Sequence, residues 1–131
     1  MKALENAGMY LLLDIGSGTH SINRENPTYT LSLFNRFQKV IDSFSSYPNL
    51  IGLFAGNEVM NQPNTTQSAP YMKAVIRDLK AYMKTKERNI PIGYSSNDDS
   101  QIRLAIRDYL MCGENSTKPD FYGVNMYVGS Y

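Results

Sequence analysis

Apolar positions along this chain fall into two kinds of run. Four runs are short: Met9–Ile15 (MYLLLDI), Asn49–Gly56 (NLIGLFAG), Ile90–Ser96 (IPIGYSS) and Asp120–Tyr127 (DFYGVNMY). The first three are nearly unbroken, as strands buried on both faces require, and the fourth is more mixed. Between them the apolar residues recur at helical spacing. Leu31, Phe34, Phe37, Val40, Ile41 and Phe44 form one stripe; Asn26 suits its N-cap and Pro27 its first helical position. A second stripe, within Ser68–Lys86, holds Met72, Val75, Ile76, Leu79 and Met83. A third, within Gln101–Met111, holds Ile102, Ala105, Ile106, Tyr109 and Leu110. The leading MKALENAG reads as the tail of a helix closed by Gly8. A helix tail followed by β-α-β-α-β-α-β predicts a parallel α/β sheet, either doubly wound or part of a barrel. With no helix after the last strand, the chain reads as a slice of a larger domain.

At 131 residues, 42% hydrophobic and 19% charged, the chain suits one modest domain with a real core. Thirteen basic and twelve acidic residues leave a net charge of +1 without a Lys/Arg cluster, which argues against nucleic acid or a polybasic membrane patch as partner. No apolar run approaches a membrane span. The N-terminus turns polar at Glu5 and Asn6, so no signal peptide is expected, and that feature alone points to the cytosol. A lone cysteine, Cys112, is expected to be a small buried hydrophobe. The single His20 excludes a histidine-based metal cluster, and neither a metal nor a cofactor is expected. The triplets NTT at Asn64 and NST at Asn115 fit N-glycosylation of a secreted protein.

Two strand ends carry candidate chemistry. Asp14 is followed by Gly16 and Gly18, which raises the possibility of a loop cradling a nucleotide or methyl donor. Such a loop needs a helix starting at the glycines. Here the helix is predicted to wait until about Pro27, and the third glycine position holds His20. The second strand ends LFAGNEV, setting the amide of Asn57 beside the carboxyl of Glu58 at the C-terminal edge of a parallel sheet, where barrel enzymes gather catalytic groups. The plain alternative for Glu58 is a solvated strand-end acid. Asp98 and Arg103 bracket a helix start, with Asp99 or Ser100 as its cap.

The ordered blocks LLLDI…SINRENP, FAGNEV, IPIGYSSNDD, LMCG and DFYGVNMY resemble the fungal β-1,3-glucanosyltransferases of glycoside hydrolase family 72 across nearly the whole chain. The resemblance implies a partial (β/α)8 TIM barrel: about four central βα units, the third to sixth, of a clan-A-type glycosidase catalytic domain occupying residues 1–131. It implies retaining transfer between β-1,3-glucan donor and acceptor chains, with Glu58 as acid/base. Asn57 would bond the sugar 2-hydroxyl. Asp14, the loop residues Gly16, Ser17, Ser21, Asn23 and Arg24, and Asp98, Arg103 and Tyr127 would bind glucan. The loop glycines would let backbone approach the sugar. The family nucleophile, a glutamate on the seventh strand, would lie outside this chain, making the chain alone inactive. Cys112 would match one half of a family disulfide whose other half follows the last strand; here Val128–Tyr131 stands instead, as in a truncated gene model. The full-length parent would sit at the cell surface or wall, meeting membrane only through a GPI anchor. Two rival readings remain: a non-catalytic glucan-binding fragment and a small doubly wound nucleotide-binding domain.

Overall fold

A computed structural model describes residues 1–126. In chain order the elements are α1 (Lys2–Asn6), β1 (Leu11–Asp14), α2 (Leu31–Phe44), β2 (Leu50–Asn57), a 3-10 helix (Pro63–Ser68), α3 (Ala69–Met83), β3 (Ile92–Asn97), α4 (Arg103–Met111) and β4 (Phe121–Asn125). All neighbouring strands are parallel and the sheet order is β1-β2-β3-β4. Strand order therefore follows chain order, without the reversal at which doubly wound sheets bind nucleotides.

The helices share one face of this sheet, with α3 on β2 and β3 and flanked by α2 and α4. Its whole predicted stripe, Met72 to Met83, is buried against Leu53, Ala55, Ile92 and Tyr94. The stripe on α2 is narrower: Phe37 and Ile41 are buried, whereas Leu31 is 72% exposed. On α4, Ile106 and Leu110 go inward and Tyr109 stays outside. The opposite sheet face pairs rings with glycines. Phe54 and Phe121 meet edge to face at 5.1 Å between centroids. A Cβ on Gly93 would lie 2.4 Å from the Phe121 ring, and one on Gly52 would meet both Phe121 and Leu12.

Three expectations change. Helix α2 starts at Leu31 with Thr30 as N-cap, its hydroxyl accepting the Leu33 N–H at 3.2 Å. Asn26 and Pro27 do not cap it, because the amide of Asn26 donates instead to the side chain of Asn23 in a turn. Residues 63–68 form a 3-10 helix in which Gln62 and Thr65 cap each other, ahead of the helix expected from Ser68. Cys112 is exposed rather than buried: it follows α4, where Lys73 Nζ reaches its carbonyl at 2.6 Å and its Sγ at 3.1 Å.

Candidate functional site

Because the strands are parallel, their C-terminal ends bring Asp14, Asn57–Glu58 and Asn97–Asp98 to one edge. Tyr127 lies outside the described residues. Glu58 leaves β2 through a register irregularity between Phe54 and Asn57 and has φ +50°, the left-handed region unusual for a side-chain-bearing residue. Its amide donates to Ser95 O at 2.8 Å, and its half-buried carboxylate accepts the Asn125 Nδ2–H at Oε1, 2.7 Å away. The same nitrogen donates to Asn57 Oδ1 at 2.9 Å, while Asn125 Oδ1 accepts the Ser95 hydroxyl at 2.9 Å. Among the described residues the N–H2 group of Asn57 has no acceptor, which leaves it for an outside one. Below the edge, buried Tyr94 accepts the Met60 N–H at 3.2 Å and fixes the chain just after Glu58. Burial, and to a smaller extent the charge on Glu58, holds that phenol well above the ordinary tyrosine range.

Asp14 is solvent-exposed at the end of β1, yet the adjoining sheet removes enough water to raise its carboxyl above the ordinary aspartate value. Among the described residues no loop amide donates to it. The loop that follows turns sharply: Ser17 and His20 exchange backbone hydrogen bonds around Gly18 at φ +50°. The loop packs closely at Gly16, where a Cβ would approach Ser21 Cβ to 3.2 Å and His20 O to 3.3 Å. Ser21 Oγ donates to Gly18 O. Asn23 Oδ1 accepts the amides of Glu25 and Asn26, so its carbonyl serves the loop. Ser68 and Gln67 donate to the carbonyls of Arg24 and Glu25, pinning the loop to the start of α3. Gly18, Ser21, Asn23, Arg24 and Asn57 then line one cleft of about 390 Å³.

Asp98 and Arg103 form an ion pair with each other across the turn into α4. Asp99 makes that turn, with Oδ1 accepting the Gln101 amide and its backbone O the Arg103 amide. Asn64 and Asn115 are both exposed. Among the described residues no group of three or more His, Cys, Asp or Glu side chains could hold a metal ion. Ser95 and Asn125 escaped notice in the sequence. The available signal was the two-residue period of β4, which puts Phe121, Gly123 and Asn125 on one face.

Comparison with known proteins supports this fold. The family model described as glucanosyltransferase matches residues 1–129. The 1,3-beta-glucanosyltransferase GAS2 of Saccharomyces cerevisiae is 50% identical over 128 residues, covering 97% of this chain and 23% of that protein. The pH-responsive protein 1 of Candida albicans is 49% identical over the same length, again covering 97% and 23%. The solved structure of Saccharomyces cerevisiae Gas2p in complex with laminaripentaose superposes with a TM-score of 0.91 at 50% identity, covering 96% of this chain and 29% of that one. The chain spans about a quarter of the length of the curated relatives it matches.

Proposed function

The chain belongs to the glucanosyltransferase family, glycoside hydrolase family 72, and on that premise we propose that it carries the acid/base part of a β-1,3-glucanosyltransferase site. The sheet is then one wall of a (β/α)8 barrel, and its C-terminal edge faces the glucan groove. The observation that carries this reading is Glu58: a half-buried carboxylate at that edge, with Oε1 held by Asn125 at 2.7 Å. Among the described residues no donor takes Oε2, so Oε2 serves the reacting oxygen.

Retaining transfer needs a second carboxylate about 5–5.5 Å from the first. In this reading it comes from a strand beyond these four. It attacks the anomeric carbon while Glu58 protonates the departing glucan oxygen. Glu58 then takes the proton of the acceptor hydroxyl, which attacks the glycosyl intermediate and restores the configuration. Asn57 donates to the 2-hydroxyl of the donor sugar, and Asp14 accepts from further hydroxyls. The cleft between the β1–α2 loop and Asn57 holds part of the chain. Asp98 and Arg103 contribute as an ion pair rather than as two independent contacts. The laminari-oligosaccharides in complex with Saccharomyces cerevisiae Gas2p support β-1,3-glucan as donor and acceptor. We place the site of action at the cell surface or wall, with a GPI anchor elsewhere in the full-length protein as the membrane attachment; the exposed sequons at Asn64 and Asn115 favour that compartment.

The test is chain-length redistribution of a laminari-oligosaccharide by the full-length protein that carries these residues. Glu58→Gln should still bind glucan and lose about 10²–10⁴-fold in transfer rate. Undiminished transfer by that variant would remove Glu58 from the acid/base role. Glucan binding with no transfer by the unmodified full-length protein would favour a non-catalytic glucan-binding role.

A further inference from the structure

We infer that Ser95 and Asn125 form a positioning relay that commits the proton of Glu58 to Oε2, the oxygen turned toward the glycosidic bond. The inference rests on Glu58 acting as the acid/base group. A primary amide has one donor end and one acceptor end. The donor end of Asn125 faces two oxygens, Glu58 Oε1 at 2.7 Å and Asn57 Oδ1 at 2.9 Å. The acceptor end faces the hydroxyl of Ser95 at 2.9 Å. Reversing the amide would set its oxygen against both of those oxygens, so the arrangement has one orientation whenever Glu58 is ionised.

The N–H donor at Oε1 favours the carbonyl form of that oxygen, because the hydroxyl oxygen of a protonated carboxyl is the poorer acceptor. Oε2 is the oxygen left to carry the proton. Ser95 holds the other end of the same residue, because its carbonyl accepts the Glu58 amide at 2.8 Å and so secures a backbone at φ +50°. Being 5% exposed, Ser95 is fixed between β2 and β4 and ties main chain and side chain of Glu58 to one point. The relay also holds Asn57 by its carbonyl and leaves its N–H2 for the sugar. Neither Ser95 nor Asn125 needs to touch substrate.

The test uses the full-length protein with two donors: a laminari-oligosaccharide, and a laminari-oligoside whose leaving group is dinitrophenolate, which departs without a proton. Asn125→Ala should lower kcat on the natural donor by about 10–10²-fold, the scale of a small misplacement of a catalytic group. KM should change little, and on the activated donor the loss in the first-turnover burst of dinitrophenolate, which reports the bond-breaking step alone, should shrink to about threefold or less. Ser95→Ala should show the same pattern more weakly, and the double variant should be no worse than Asn125→Ala, since one residue acts through the other. Should Asn125→Ala fail to fold, Ser95→Ala carries the same two-donor comparison. Equal losses on both donors, unchanged kcat, or additive effects would overturn the relay. Glu58→Gln run alongside separates the two levels: activity on the natural donor there defeats the acid/base assignment itself. A Glu58→Gln defect relieved by the activated donor, beside an unrelieved Asn125→Ala defect, defeats only the relay.

Discussion

Tyr94 shows how one buried hydroxyl links stability to pH. Burial raises its phenol, and it raises Tyr122; Tyr29 is raised by burial and by the negative charge of Asp78. In the unfolded chain each would ionise near the ordinary value of about 10. Above that pH the folded state keeps protons that the unfolded state has lost, so stability falls as pH rises. The urea midpoint should therefore drop between pH 9 and pH 11, and an unchanged midpoint would contradict the assignment. Tyr94→Phe should remove part of that slope. At neutral pH it should cost about 1–3 kcal/mol, because the Met60 N–H loses its acceptor. Single residues were unevenly legible in the sequence. Asp14 and Glu58 stand out because an acid closing an apolar strand is conspicuous. Ser95 and Asn125 do not, because their meaning lies in a pairing across strands thirty residues apart.

Elements were read well where burial dictates them and poorly where a turn does. The centres of all four strands and the α3 stripe match the apolar pattern, while β1 and β4 are shorter than the runs that announce them. The start of α2 slipped from Pro27 to Leu31 because the Asn23 side chain captures the amides of Glu25 and Asn26, an interaction that periodicity does not register. Thr30→Ala should accordingly cost about 1 kcal/mol in urea unfolding, whereas Asn26→Ala should leave the cap intact. The inner sheet face makes a second prediction. At Gly93 an added methyl would collide with the Phe121 ring, so Gly93→Ala should destabilise by about 1–3 kcal/mol and shift Phe121 in a structure of the variant. A neutral effect would show that the ring moves freely.

At the scale of the molecule, the described sheet is open at both sides. β1 and β4 are its edges, and apolar surface gathers beside them: Met9 is 55% exposed, Tyr10 71%, Leu12 50%, Val124 44% and Met126 60%. Unpaired parallel edges with such surface are templates for pairing with other chains. Produced as an isolated 131-residue polypeptide, the chain should self-associate in sedimentation at micromolar concentration. A sharp thermal transition from a stable monomer would refute this. The consecutive strand order was implied by the family resemblance, whereas the alternation of helices and strands alone is shared with doubly wound sheets. Only the pairing of strands separates the two.

The left-handed backbone of Glu58 bears on how such a site persists through generations. Holding an L-residue there costs roughly 1–2 kcal/mol, which glycine avoids. Glu58→Gly would forfeit one hydrogen bond from Asn125 and some chain entropy, of similar size, so the fold would register almost nothing. Selection for abundance or solubility is therefore blind to this position. In a lineage or a library screened only for folded protein, the carboxylate should drift away, and its retention in a population is the mark of selection on chemistry alone.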